Sequence, residues 1–287
     1  THGFDKDKPR PNAWPYRDWV IRALNEDWPW KQFVSAQVAG DVLFEGDASA
    51  TVATGMLAAG PWDFVGHVEL REGTVDKKKT RNLDRDDIVT SVFSSFQSLT
   101  VQCARCHDHK FDVIPQTDYY ALAGVFGNMT TYFGAPQSEF GSFSGVQERQ
   151  SSTSLVLPLD DPNPYDKRYT SQELTELKEQ MTQKLGERAE QRRNRGRATG
   201  DDAKNAQRSR IRLANELAGL STKLGVVDAD GNPRSYCMGV QESQRPVNAN
   251  LLVRGEIDQP AQVVQRGFPQ VLCSTPAKID SRSSGRL

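Results

Sequence analysis

In the first half of the chain, apolar side chains recur in steps of three and four residues, interrupted by proline, glycine and charged stretches. Tyr16, Trp19, Val20, Ala23 and Leu24 form one stripe, and Phe33, Val34, Gln37 and Val38 form another that ends near Gly40-Asp41. That spacing places the apolar groups on one face of an α-helix. Ser49 to Ala59 reads as a short helix of small residues, stopped by Gly60-Pro61. Val65 to Lys79 has no period and carries Lys77-Lys78-Lys79, the pattern of an exposed loop. The longest stripe runs Ile88, Val92, Phe96, Leu99, Cys103, His107. It predicts a helix over 83–107 with Cys103 and His107 on the buried side and Cys106 at the margin. Another helix is predicted over Gln116 to Phe126, with Tyr119, Tyr120, Leu122 and Phe126 as its apolar side.

The second half changes character twice. Gly134 to Ser152 is rich in Gly, Ser and Gln and reads as a linker or long loop. Thr170 and Glu173 then make a capping box, and Leu174, Leu177, Met181 and Leu185 follow at helical spacing. After a break at 192–202, Leu213, Leu217, Leu220 and Leu224 resume it. Two narrow apolar seams joined by a glycine-bearing turn predict an antiparallel coiled-coil hairpin. Its tip carries Arg192, Arg193, Arg195 and Arg197, a solvated basic cluster. Beyond it, Ser235 to Val240, Asn250 to Val253 and Val263 to Arg266 read as strands, separated by turn residues. The fold class expected is mainly α: an irregular helical domain over 1–133, a linker over 134–169, the hairpin over 170–226 and a β-containing segment over 227–287.

Composition narrows the function. Lysine plus arginine (36) nearly balance aspartate plus glutamate (37), so no global field draws nucleic acid or an anionic membrane. No apolar run is long enough to span a bilayer. Four cysteines in 287 residues are too few for a disulfide scaffold. The ends of the chain read as those of a fragment, without a signal peptide within it.

The candidate chemistry lies at Cys103-Ala104-Arg105-Cys106-His107. C-x-x-C-H is the attachment sequence for c-type haem: two thiols bond the porphyrin vinyls and the histidine ligates the iron. In this reading Cys103, Cys106 and His107 bind haem c, and Met129, Met56, His67 and His2 are the candidates for the opposite axial position. Besides a zinc or other metal site on Cys103, Cys106 and His107 themselves, two other uses remain open. One is a divalent metal held by His107, Asp108, His109 and Asp112 in a hydrolytic or carbohydrate-associated module. The other is a redox dithiol or disulfide, although such motifs favour the start of a helix.

The extended motif Cys-Ala-Arg-Cys-His-Asp-His-Lys-Phe-Asp at 103–112, followed by Ile114-Pro115-Gln116 and Asp118-Tyr119-Tyr120, resembles the core of the planctomycete cytochrome C-like domain family. Upstream, His2-Gly3-Phe4-Asp5, Arg10 to Trp14, Tyr16 to Val20, Gln37 to Asp41 and Ala53-Thr54-Gly55 resemble its preceding block. The similarity covers residues 1–130. Val113 stands where the family has proline, a difference in loop shape. Arg254-Gly255-Glu256, Gly267-Phe268-Pro269 and 283–287 resemble the entry to a second domain. The resemblance implies a secreted or periplasmic protein and, with the motif, covalent haem; the role expected from that chemistry is electron transfer or haem-dependent oxidation. Its partner would be a redox protein or another domain of the same full-length chain, with a polysaccharide as partner in the alternative reading.

Overall fold

The computed structural model describes residues 10–63, 65–134, 157–159, 161–193, 201–273 and 275–286. His2, Arg195, Arg197 and most of the 134–152 linker therefore lie outside the described residues. The fold is mainly α, with small two-stranded antiparallel sheets. The chain divides into two compact units, one built from 1–134 and 237–287, the other from 135–236.

The first unit is organised around one central helix. Four helices precede the longest one: α1 (Trp14–Asn25), α2 (Trp30–Leu43), α3 (Ala48–Ala53) and α4 (Gly55–Ala58). Trp19 of α1, almost fully buried, stacks on Phe33 and meets Trp28 edge-on, so the aromatic residues of this block pack on one another. A π-helical turn (Val65–Glu69) leads to α5 (Val75–Gln97). α5 starts earlier than the apolar pattern suggests, because Thr74 caps it by accepting from the Lys77 N–H at 3.3 Å. The lysine run is thus helical, and Lys77 is buried with its ammonium group donating to the His67 carbonyl.

The helix expected over 83–107 does not reach the cysteines. α5 stops at Gln97, Ser98 adopts a left-handed conformation (φ 55°), and the chain re-enters as a 3-10 turn over Val101–Arg105. Ile88 and Val92 are buried as predicted, but the stripe ends with Leu99.

α6 (Gln116–Phe126) has the predicted bounds, and every residue from Asp118 to Phe126 is buried. A helix apolar all round belongs in the centre of a core. It packs with Val89, Val92 and Phe93 of α5, with Val101 and Ala104 of the 3-10 turn, and with Leu251 and Leu252. The last two lie on β5 (Ala249–Leu252), which pairs with β6 (Pro260–Val264). Gly124 lets this hairpin approach, since a Cβ there would sit 3.0 Å from Arg266 Cγ and 3.4 Å from the Ala249 nitrogen.

The strand β1 (Met129–Tyr132) carries no signal in the local pattern. It pairs with β4 (Gly239–Glu242), Met129 opposite Glu242. This pairing returns the C-terminal segment to the first unit. Arg286 completes the return, with its guanidinium on Asp41 (2.7 and 2.8 Å) and Glu242 (2.9 Å). The strand and the arginine of this C-terminal segment thus find partners in the first unit.

In the second unit, α7 (Ser171–Arg193) and α8 (Asp201–Gly225) form the predicted hairpin. Lys184 pairs with Glu216 and Gln191 with Ser209, so positions rise on one helix as they fall on the other, which makes the pair antiparallel. Leu213 and Leu217 form the seam, packed against Met181. The capping box is present: Glu173 accepts from the Thr170 N–H at 2.8 Å, and Thr170 Oγ1 accepts from the Glu173 N–H at 3.2 Å. The strand β2 (Leu157–Leu159) pairs with β3, Ser235–Cys237, of which Ser235 and Tyr236 belong to this unit.

If α6 is the centre of the first unit, truncating its fully buried Leu122 should be costly. Leu122→Ala is expected to lower unfolding free energy by about 3 kcal/mol in urea titration.

Candidate functional site

The two cysteines owe their orientation to the geometry of the 3-10 turn. With three residues per turn, side chains at i and i+3 eclipse one another. Val101 and Ala104, three apart, are both fully buried. Cys103 and Cys106, also three apart, are both free thiols on the exposed side. This reverses the expectation of a buried Cys103 at the end of a long helix. The reason is the change of period after Ser98, which turns Val101 and Ala104 inward in its place.

Arg105 between them is the anchor. Its guanidinium donates to Asp86 Oδ2 on α5 at 3.0 Å, while Tyr119 of α6 donates to Asp86 Oδ1 at 2.6 Å. Asp86 is buried, and both of its oxygens are thus satisfied. The Arg105 carbonyl accepts from Gln116 Nε2 (3.0 Å) and from the Tyr120 hydroxyl (2.9 Å). The same two side chains reach the Leu252 carbonyl at 3.2 and 3.4 Å, which adds the end of β5 to the network. Burial, reinforced by the Asp86 charge, holds the Tyr119 hydroxyl well above the usual tyrosine range. Burial likewise pushes Tyr120 up to about 12. The Asp86 carboxylate in turn raises the Arg105 guanidinium against its own desolvation.

Cys106 has a close neighbour in Gly255, whose φ of +74° suits glycine. A Cβ on Gly255 would come 2.9 Å from Cys106 Sγ and 3.3 Å from Arg105 Nε. The loop after β5 is thereby fitted against the second thiol.

The next residues carry polar groups with distinct jobs. His107 is exposed and its Nδ1 lies 2.7 Å from the Asp108 carbonyl. A carbonyl only accepts, so Nδ1 bears the proton and Nε2 keeps a free lone pair. Asp108 Oδ1 accepts from the Gln116 N–H at 2.7 Å, and so caps the first turn of α6. His109 works the other way round from His107. Its Nδ1 accepts from the Asp112 N–H (2.8 Å) and the Phe111 N–H (3.3 Å), which places the proton on Nε2, facing Thr100 Oγ1 at 3.4 Å. In that tautomer the Asp112 carboxylate, 3.2 Å from Nδ1, makes no ion pair with the ring. The His109 N–H also donates to the Ile114 carbonyl at 2.9 Å, closing the loop.

The four-residue metal set is therefore not assembled. Asp108 Oδ1 and His109 Nδ1 are committed to backbone N–H groups. Among the described residues no group of three or more His, Cys, Asp or Glu side chains is arranged to hold a metal ion. Three of the four candidates for the second iron ligand lie among the described residues. His67 is buried, its Nε2 lies 2.6 Å from Asp84 Oδ2, and its ring packs against Trp62 and Phe133. Met129 packs on the core from β1. Met56 lines a cleft with Leu57, Asp84, Asp87 and Phe133.

The sequence pattern passed over Asp86, Arg105, Gln116, Tyr119 and Tyr120 as a functional group. A signal was present for one of them. Asn82, Asp86, Val89 and Phe93 step by four, three and four along the buried face of α5, so Asp86 is a charged residue at an inward position.

Two measurements test the network. Asp86→Ala leaves a half-buried guanidinium and a buried hydroxyl without their acceptor, and is expected to cost about 3 kcal/mol by urea denaturation. Tyr119→Phe is expected to cost only about 1 kcal/mol; equal costs would remove Asp86 from its central place. The second test is alkaline. The folded pKa of Tyr120 lies above the unfolded value of about 10, so its contribution is complete below that pH and is lost as pH rises through about 12. Unfolding free energy should fall across this window, with a smaller fall in Tyr120→Phe.

No curated protein and no solved structure matches the chain. No helix among the described residues is long and apolar enough to cross a membrane. Residues 1–131, which end within β1 and include the whole cysteine turn and α6, match the family described as PSCyt2, a protein of unknown function (DUF1549).

Proposed function

We propose that Cys103, Cys106 and His107 form a covalent haem c attachment site in an extracytoplasmic protein that works in electron transfer or haem-dependent oxidation. The observation that carries this reading is the tautomer of His107. Its Nδ1–H is spent on the Asp108 carbonyl, which leaves the Nε2 lone pair available to a metal, the arrangement typical of ligating histidines. The thiols fit as well, since both are free, exposed and set three apart on a 3-10 turn. The matched family description names no activity, so the electron-transfer role rests on the motif chemistry.

In this reading Cys103 and Cys106 would hold the porphyrin through thioethers and His107 would ligate its iron. A haem held there would supply one-electron redox chemistry. The rest is the work of the chain. Arg105, clamped by Asp86 and by its carbonyl partners, fixes the turn so that both thiols stay accessible. Asp108 ties the following residue to α6 and supplies the carbonyl that sets the His107 proton. An extracytoplasmic location follows from the chemistry proposed, because thioether attachment of haem is completed in that compartment.

The test is a pyridine haemochrome spectrum of the chain produced together with haem-maturation machinery. Covalent haem is expected in the parent chain and is expected to be lost in the Cys103→Ser/Cys106→Ser double variant. His107→Ala should retain thioether-bound haem but with altered iron coordination in its absorption spectrum. A parent chain without covalent haem would overturn the proposal.

A further inference from the structure

Two side chains beside the motif are out of place by ordinary packing rules. Phe111 is 83% exposed and Val113 is 78% exposed, more than any other large apolar residue of the described chain, the next being Val247 at 67%. Leaving that much apolar surface in water forfeits a favourable burial. A slack loop would explain it, but this loop is tightly built. His109 Nδ1 accepts the Phe111 and Asp112 N–H groups, the His109 N–H meets the Ile114 carbonyl, and the Ile114 N–H meets the Asp112 carbonyl at 2.8 Å. Ile114 is buried and anchors one end, while Asp108 anchors the other to α6. The backbone thus holds Phe111 and Val113 outward.

Both residues lie close to the motif along the chain. Phe111 follows His107 by four residues, a reach of at most about 14 Å. The loop also turns back on the cysteine turn, since His109 Nε2 meets Thr100, three residues before Cys103. The loop that carries the apolar pair is thus hydrogen-bonded to the segment leading into the cysteine turn. A porphyrin tethered at exposed cysteines has broad apolar faces that gain from such cover. Charged neighbours are present on the same loop: the Lys110 ammonium lies over the Phe111 ring at 5.1 Å, and the Asp112 carboxylate is on the His109 side.

We infer that Phe111 and Val113 are the chain's own apolar contacts to the porphyrin attached at Cys103 and Cys106. This rests on the attachment reading and adds to it the residues that pack on the macrocycle. Exposed in the haem-free chain, these side chains have nothing to lose there. In the haem-loaded chain they become buried, so their removal is felt only in that form.

The experiment compares Phe111→Ala/Val113→Ala in two backgrounds, the haem-loaded full chain and the haem-free Cys103→Ser/Cys106→Ser chain. Haem content is followed by pyridine haemochrome, stability by urea unfolding and porphyrin asymmetry by Soret circular dichroism. In the haem-free background the urea midpoint is expected to stay unchanged. In the loaded chain the folding equilibrium constant is expected to drop about tenfold, with loss of Soret dichroism and unchanged haem content. Val247→Ala, an exposed apolar control outside the loop, should alter neither background. Equal shifts in both backgrounds, or none in the loaded one, would overturn the inference while leaving attachment standing. A parent chain lacking covalent haem would overturn both.

Discussion

A single carboxylate, Asp86, joins the three pieces of chain on which the candidate site depends. It sits on α5, receives Tyr119 from α6 and receives Arg105 from the cysteine turn, with both acceptor oxygens used inside the core. An ionised group taken out of water is costly unless it is paired and hydrogen-bonded, so this geometry is demanding. It has few alternatives, and that restricts the turn to one position. The carbonyl of the same arginine is then fixed from its other side by Gln116 and Tyr120. Arg105 lies between the two thiols, so its placement sets theirs.

This constraint explains why the cysteines face out. Once Arg105 points to Asp86, a turn with three residues per repeat has Val101 and Ala104 on the side of the core and Cys103 and Cys106 on the outside. A core position for Cys103 would take Arg105 away from its partner. The site is thus a surface mounted on a rigid interior, with reactive groups outside and positioning groups inside. Gly255 belongs to the same design, because its missing side chain leaves the space that Cys106 Sγ occupies.

How much of this could be read from the sequence varies with the range of the forces involved. α6 was legible because the apolar stretch from Tyr119 to Phe126 lies between Pro115 and Gly127, and both the hairpin and its Thr170–Glu173 cap are local devices. The end of α5 was not. A step of three residues fits both α and 3-10 periods, and nothing local marks Ser98 for a left-handed conformation. β1 was invisible because its partner lies 113 positions further on, opposite Glu242. Arg286, too, finds Asp41 only across the whole first unit. At the site, C-x-x-C-H marked the place, whereas inside and outside were decided by Asp86 on another helix.

The dense polar run after the motif also looks different once its hydrogen bonds are known. Two histidines and two carboxylates in six residues suggest a metal cluster, but the loop divides them by task. Asp108 caps a helix, and His109 replaces a backbone acceptor by taking two N–H groups on one nitrogen. The opposite tautomers of His107 and His109 follow from that division: the first ring donates inward and keeps its outer nitrogen free, while the second accepts inward and stays with the protein. Of the two rings, only His107 keeps a nitrogen lone pair with no backbone donor on it, and it adjoins the second thiol. The polar density is therefore scaffolding for His107, and the apolar Phe111 and Val113 are carried outward by the same hydrogen bonds.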